Sequence, residues 1–246
     1  MAVAVGSSTS LGLANRTNST LTAPADIADG NVLLAIVIAG DGGDETAPTV
    51  TPPTGFTAVT GSPLEISKSD PYAIAINCFS KVASGESGNY TFTHGASDSE
   101  GFMYRITGAD NTTPINPNPT TNTGSGTTST GLSITPEVDE SLVVMIDLMW
   151  DDAATMSPPT GTTPTFTERY DPGSGGVLWI GDGVLATAGA TGNKSHTNGN
   201  NTAQPWATLM VCVQAAAAAG DANRVRFPPQ MGGMGVGGML GGNRMS

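Results

Sequence analysis

Asp29-Gly-Asn-Val-Leu-Leu-Ala-Ile-Val-Ile38 aligns without a gap on Asp139-Glu-Ser-Leu-Val-Val-Met-Ile-Asp-Leu148. Each run opens on polar residues and continues as a short stretch of Val, Ile and Leu, the signature of a buried strand rather than a helix. Beyond these runs the same order of features recurs in both places. An acidic patch comes first, Asp41/Asp44/Glu45 in one copy and Asp151/Asp152 in the other. Pro52-Pro-Thr-Gly55 then matches Pro158-Pro-Thr-Gly161, and Phe56 matches Phe166. A further apolar strand comes next in each, over 72–79 and 177–185. Gly88-Asn89 pairs with Gly192-Asn193, and Phe102–Ile106 with Ala207–Val211. The order reads as a duplication, with about five strands in each half.

Composition supports strands throughout. Only 12% of the 246 residues are charged, against roughly 25% in an ordinary soluble domain. Gly contributes 33 residues, Thr is as numerous, and Pro adds 17. Gly and Pro weaken helix interiors and Thr is β-branched, so a mainly helical chain is excluded. Tyr90-Thr-Phe-Thr93 alternates as a strand with one wet face should. The fold class expected is all-β: a jelly-roll-like β-sandwich over 1–220, built from repeat halves at about 1–108 and 131–214. A Thr/Asn/Pro-rich segment, 109–130, joins them as an exposed crossover or an extended edge. One sandwich is preferred over two in tandem, because the halves are short and matching strands differ in length.

The net charge of −12 divides unevenly. Residues 1–221 hold all 21 acids and carry −15, whereas 222–246 hold Arg224, Arg226 and Arg244 and no acid. An acidic body repels phosphate backbones, so no nucleic-acid partner is expected. No apolar run reaches the length of a membrane span, so no membrane partner is expected either. The first residues carry no cationic start and no long apolar stretch, which reads as the absence of a signal peptide and fits folding in a reducing cytoplasm. Cys78 and Cys212 lie inside apolar runs and read as interior strand positions.

Residues 221–246 are read as an irregular anchoring tail. From Arg224 onward they hold seven Gly and four of the ten Met, too much backbone freedom for a core of their own. Arg224, Arg226, Phe227, Met231, Met234, Met239, Leu240 and Arg244 are its partner-anchoring candidates, since flexible thioethers suit an adaptable contact on another protein.

Residue types that carry chemistry are sparse, and neither catalysis nor a cofactor is expected. No Ser occupies a Gly-x-Ser-x-Gly frame. His94 and His196 fall in Thr/Gly/Asn-rich stretches that read as exposed turns, without metal-ligand spacing. Gly233-Met-Gly-Val-Gly-Gly238 fits a dinucleotide fingerprint in letters only, lacking the strand and helix that such a loop joins. The paired acidic patches suit Ca²⁺ in their oxygen content, but solvated loop acids are the ordinary reading. Trp179 and Trp206 lie in or beside apolar runs and read as core. Trp150, next to two acids, is the candidate for glycan contact.

The ordered motifs Thr51-Pro-Pro-Thr-Gly-Phe56, Lys81-Val-Ala83, Tyr90-Thr-Phe-Thr93, Tyr104-Arg-Ile-Thr-Gly108 and Phe166-Thr-Glu-Arg-Tyr170 resemble a β-sandwich domain of structural and fibre-like proteins of tailed bacteriophages, also found in some bacterial surface proteins. The resemblance spans about 20–214 and rests on turns and strands, so it brings no catalytic residue. It implies a virion-surface protein, assembled in the host cytoplasm, that decorates capsid or tail. Its partners would be other virion proteins and further copies of itself, as a homo-oligomer such as a trimer. A receptor- or carbohydrate-binding module directed at host surface glycans is the alternative. A secreted hydrolase is a third reading, disfavoured by the poverty of His.

Overall fold

The computed structural model describes residues 2–41, 46–67, 72–150, 155–159, 163–173, 178–199 and 202–217. Within them the first half supplies β1 (Ala4–Leu21), β2 (Val32–Asp41), β3 (Thr57–Ala58), β4 (Leu64–Ser67), β5 (Ala73–Val82) and β6 (Tyr90–Thr107). The second half supplies β7 (Thr120–Gly126), β8 (Thr128–Gly131), β9 (Ser141–Met149), β10 (Thr167–Tyr170), β11 (Leu178–Leu185), β12 (Lys194–Thr197) and β13 (Gln204–Val213). The described residues form no helix, and every strand pair among them is antiparallel.

Each half makes one of the two large sheets, and β8 and β12 of the second half form a separate pair, so the halves do not interleave strand by strand. The first sheet runs β1-β6-β2-β5-β3, with β4 also on β5; the second runs β7-β13-β9-β11-β10. The central strands β2 and β9 are the two runs that align in sequence. Val32, Leu34, Ile36 and Ile38 of β2 meet Leu142, Val144, Ile146 and Leu148 of β9 in a single core between the sheets. Burying each such side chain is worth about 1.5–3 kcal/mol.

The alternate residues of β2 and β9 are buried too, which is why these runs lack polar alternation. Leu33, Ala35, Val37 and Ala39 face a second apolar cluster outside the first sheet, closed by Leu21, Val50, Phe56, Tyr90 and Phe92. Val143, Met145 and Met149 face a third outside the second sheet, closed by Ile134, Met156, Phe166 and Trp206. The sandwich is therefore four layers deep.

The covers are built alike. In the first half the far end of the long β1–β6 ribbon supplies Leu21, Tyr90 and Phe92 to the outer cluster. In the second half the ribbon is broken, and its far end is the separate pair β8–β12. The polar joining segment thus divides: 120–126 is an edge strand of the second sheet and 128–131 is part of its cover. Trp179 lies over Gly181 and Trp206 over Gly124, where a Cβ would collide with the indole. Both rings are buried, as core positions require.

Candidate functional site

Asp147 sits in the outer register of β9 with Met145 and Met149, paired with Trp179 of β11 on one side and Thr208 of β13 on the other. Beneath the cover it meets two side chains from the β8–β12 ribbon. Ser129 Oγ donates to Asp147 Oδ2, and His196 Nε2 contacts the same oxygen. The other ring nitrogen, Nδ1, lies 3.1 Å from the Ser157 carbonyl oxygen. Both ring nitrogens face acceptors, so the arrangement calls for the doubly protonated imidazolium. Burial disfavours that charge, but the Asp147 carboxylate, its hydrogen bond, the Ser157 carbonyl and Asp171 outweigh it. His196 therefore holds its proton above the ordinary histidine range. The ring meets Trp179 edge to face at 4.8 Å between centroids.

The cluster has the residue types of a nucleophilic triad in the wrong order. Asp147 separates the hydroxyl from the imidazole, so His196 cannot take a proton from Ser129. Ser129 and Asp147 have no exposed surface and His196 is 3% exposed. His196 was expected in an exposed turn; it lies on a strand and inside the protein. His94 also lies on a strand, β6, half-buried. Its Nε2 is 3.0 Å from Ser19 Oγ and its Nδ1 is 2.7 Å from the Gly95 carbonyl oxygen. That is the spacing of a base and a hydroxyl, yet Ser19 is wholly buried and also bonds Ser99 at 2.9 Å.

Two further ties join the sheets. Tyr104 Oη of β6 donates to Asp182 Oδ2 of β11, and Arg169 of β10 forks onto the same carboxylate at 2.6 and 3.0 Å. Burial and then Asp182 push the Tyr104 phenol well up, against a smaller opposing pull from Arg169. Tyr170 Oη of β10 donates to Glu100 Oε1 of β6 at 2.8 Å. On the first sheet's outer side, Lys81 pairs with Glu86 at 2.7 Å, and Tyr90 Oη donates to the same carboxylate.

Trp150 is half-buried against the central core at the end of β9. Tyr72, 43% exposed, meets it edge to face at 6.2 Å between centroids. The sequence favoured Trp150 over the four Tyr as a sugar-stacking ring and gave no sign that Tyr72 pairs with it, since the two come close only because β5 and β9 lie in facing sheets. The anchoring candidates Arg224, Arg226, Phe227, Met231, Met234, Met239, Leu240 and Arg244 lie outside the described residues, as do Asp44, Glu45, Asp151 and Asp152 and the side chain of Asp41. Among the described residues no group of three His, Cys, Asp or Glu is placed to hold a metal. Cys78 faces the central core and Cys212 the outer cluster of the second sheet, both as buried free thiols. Burial pushes the Cys212 thiol up to about 12, against a weaker pull from Ser141.

Asp147 and His196 did have a sequence signal. In the aligned halves Asp147 stands against Val37, and counting on from Gly88-Asn89 and Gly192-Asn193 puts His196 against Phe92. The registers agree, since Ser19 faces Phe92 and Ser129 faces His196. One half closes its outer face with an apolar pair and the other with an ion pair. Comparison with known proteins adds no relative to this geometry: no family model, no curated protein and no solved structure matches the chain.

Proposed function

We propose that this chain is a non-enzymatic structural subunit of a tailed-phage particle, exposed on the virion as a decoration or fibre-like protein and attached to capsid or tail through residues 222–246. The supporting observation is where its reactive groups go. Ser129, Asp147, His196, Asp182 and Tyr104 are all buried and bonded to one another across strands and sheets. These groups serve as fastenings, which suits a shell protein under mechanical stress. The acidic body with a basic, acid-free end fits a solvated domain tethered at one terminus. Removing 222–246 is expected to leave the far-UV spectrum and melting of the body unchanged while the protein disappears from purified particles, scored by mass spectrometry. Undiminished incorporation of the truncated chain would refute the tether.

Tyr72 favours a second reading, a receptor- or carbohydrate-binding module. An exposed phenol set at 69° to the Trp150 ring makes a two-walled aromatic corner, and sugar CH faces pack on such rings. Binding on a glycan array should then fall at least about tenfold in Trp150→Ala and in Tyr72→Ala, the loss of one aromatic contact. Equal signals from wild type and both variants would dismiss this corner.

A further inference from the structure

We infer that the free edge of β1 is a self-association surface, on which a second copy of this chain pairs its own β1 antiparallel to form a two-fold dimer. Among the described residues β1 is the outermost strand of its sheet and pairs only with β6, so the opposite side of its backbone is open along 18 residues. At about 3.3 Å per residue the strand follows a path of roughly 60 Å, its far end turned over the first sheet with Leu21 in the outer cluster. The other outer strands are far shorter: β3 has two residues, β4 and β10 four each, and β7 seven.

Charge selects the occupant. Proteins protect long edges with charged side chains, proline and bulges, and the bulges of β1 confine its regular edge to the stretch between them. β1 has no proline and no acid, and Arg16 is its only charge. The surrounding body carries 21 acids and a net −15, so two copies repel each other over most orientations. The acid-free β1 edge lets two acidic bodies meet without opposing carboxylates along the contact. Antiparallel pairing is isologous: the same strand serves both copies and the contact closes on itself, joining two sheets into one. The β1–β6 register shifts at Gly6, at Gly12–Leu13 and at Thr17, and the first two bound an unbroken stretch, Ser7–Leu11, on which the two-fold would centre. Ser8, Ser10 and Ala14 are exposed along the strand, so a lysine at any of them meets solvent in the single chain. This inference is independent of the virion reading.

The test uses the full-length chain. Light scattering after size exclusion is expected to give a dimer mass, and hydrogen exchange read amide by amide is expected to protect consecutive β1 amides from Ser7 to Leu11. A lone edge strand protects only alternate ones, those bonded to β6. Placing Ser8→Lys, Ser10→Lys and Ala14→Lys together sets like charges against each other about the two-fold. It should weaken the dimer roughly tenfold or more without changing its far-UV spectrum. A monomer at every concentration would overturn the proposal, as would an oligomer whose β1 amides alternate in protection. Continuous protection in a monomer would also overturn it and would give the edge to another segment of the same chain. Should the lysine variant fail to fold, the wild-type mass and exchange pattern decide by themselves.

Discussion

Replacing Asp147 by Val should cost about 3–5 kcal/mol, replacing His196 by Phe about as much, and replacing both should return stability to within about 1 kcal/mol of wild type. Asp147→Val leaves a buried imidazolium facing hydrocarbon and the Ser129 hydroxyl without its acceptor. His196→Phe leaves a carboxylate under an aromatic ring with Ser129 as its only remaining tie. Either single change strands a charge where neither side chain has more than a few percent of its surface in water. The double change installs the pair, Val37 and Phe92, that closes the outer face of the other sheet. Phenylalanine is slightly larger than histidine and must fit against Trp179, which sets the residual penalty. The measurement is a double-mutant cycle from urea denaturation midpoints at matched slopes. Additive losses in the double variant would show that the two residues do not act as a pair.

The same pair makes stability fall as pH rises. The folded-state pKa of His196 is raised above its ordinary 6.5, so its contribution is fully present below that value. The contribution is lost as pH rises through the raised folded-state pKa, because there the folded protein gives up a proton that the unfolded chain has already lost. The wild-type melting temperature should therefore fall through that window, and the double variant should lack that slope.

Strands were legible in the chain because burial on both faces writes itself as an uninterrupted apolar run, as at 32–38 and 142–146. The strand class at Tyr90–Thr93 was legible for the opposite reason: a cover strand keeps one wet face and alternates. The chain could not display which segment covers which sheet. Residues 128–131 are as polar as any linker, yet Ser129 is fully buried, because its hydroxyl is used by a carboxylate that arrives 18 positions later. His196 misled for the same reason. Its neighbours Ser195 and Thr197 suit a turn, and only the pairing of β12 with β8 turns the imidazole inward. Tyr104 gave no hint of crossing to Asp182, 78 residues away, since which strands face each other between sheets leaves no local pattern.

Asp182→Ala should cost about 2–4 kcal/mol, somewhat less than loss of the fully buried pair, because the Arg169 side chain remains 32% exposed and can be rehydrated. The carboxylate is the hub of the tie between sheets. Removing it leaves the Tyr104 phenol, which has no exposed surface, without an acceptor, and releases both arms of the Arg169 fork. Tyr104→Phe removes the donor instead and leaves Asp182 held by Arg169, so it should cost only about 1 kcal/mol. Asp182→Asn should fall between them, since its amide oxygen still accepts one bond but carries no charge for the guanidinium. The Asp182→Asn variant separates loss of a hub from creation of a cavity. A cavity account makes Asp182→Asn nearly neutral, because the amide fills almost the volume of the carboxylate, whereas loss of the hub makes it costlier than Tyr104→Phe. Guanidinium midpoints of the three variants decide between the two accounts, and an Asp182→Asn variant as stable as wild type would reduce Asp182 to a filler of space. Should the ranking hold, the sheets are clamped at the β10–β11 side by a charge-assisted bond, while the centre is held by apolar side chains of β2, β5 and β6 against those of β9, β11 and β13.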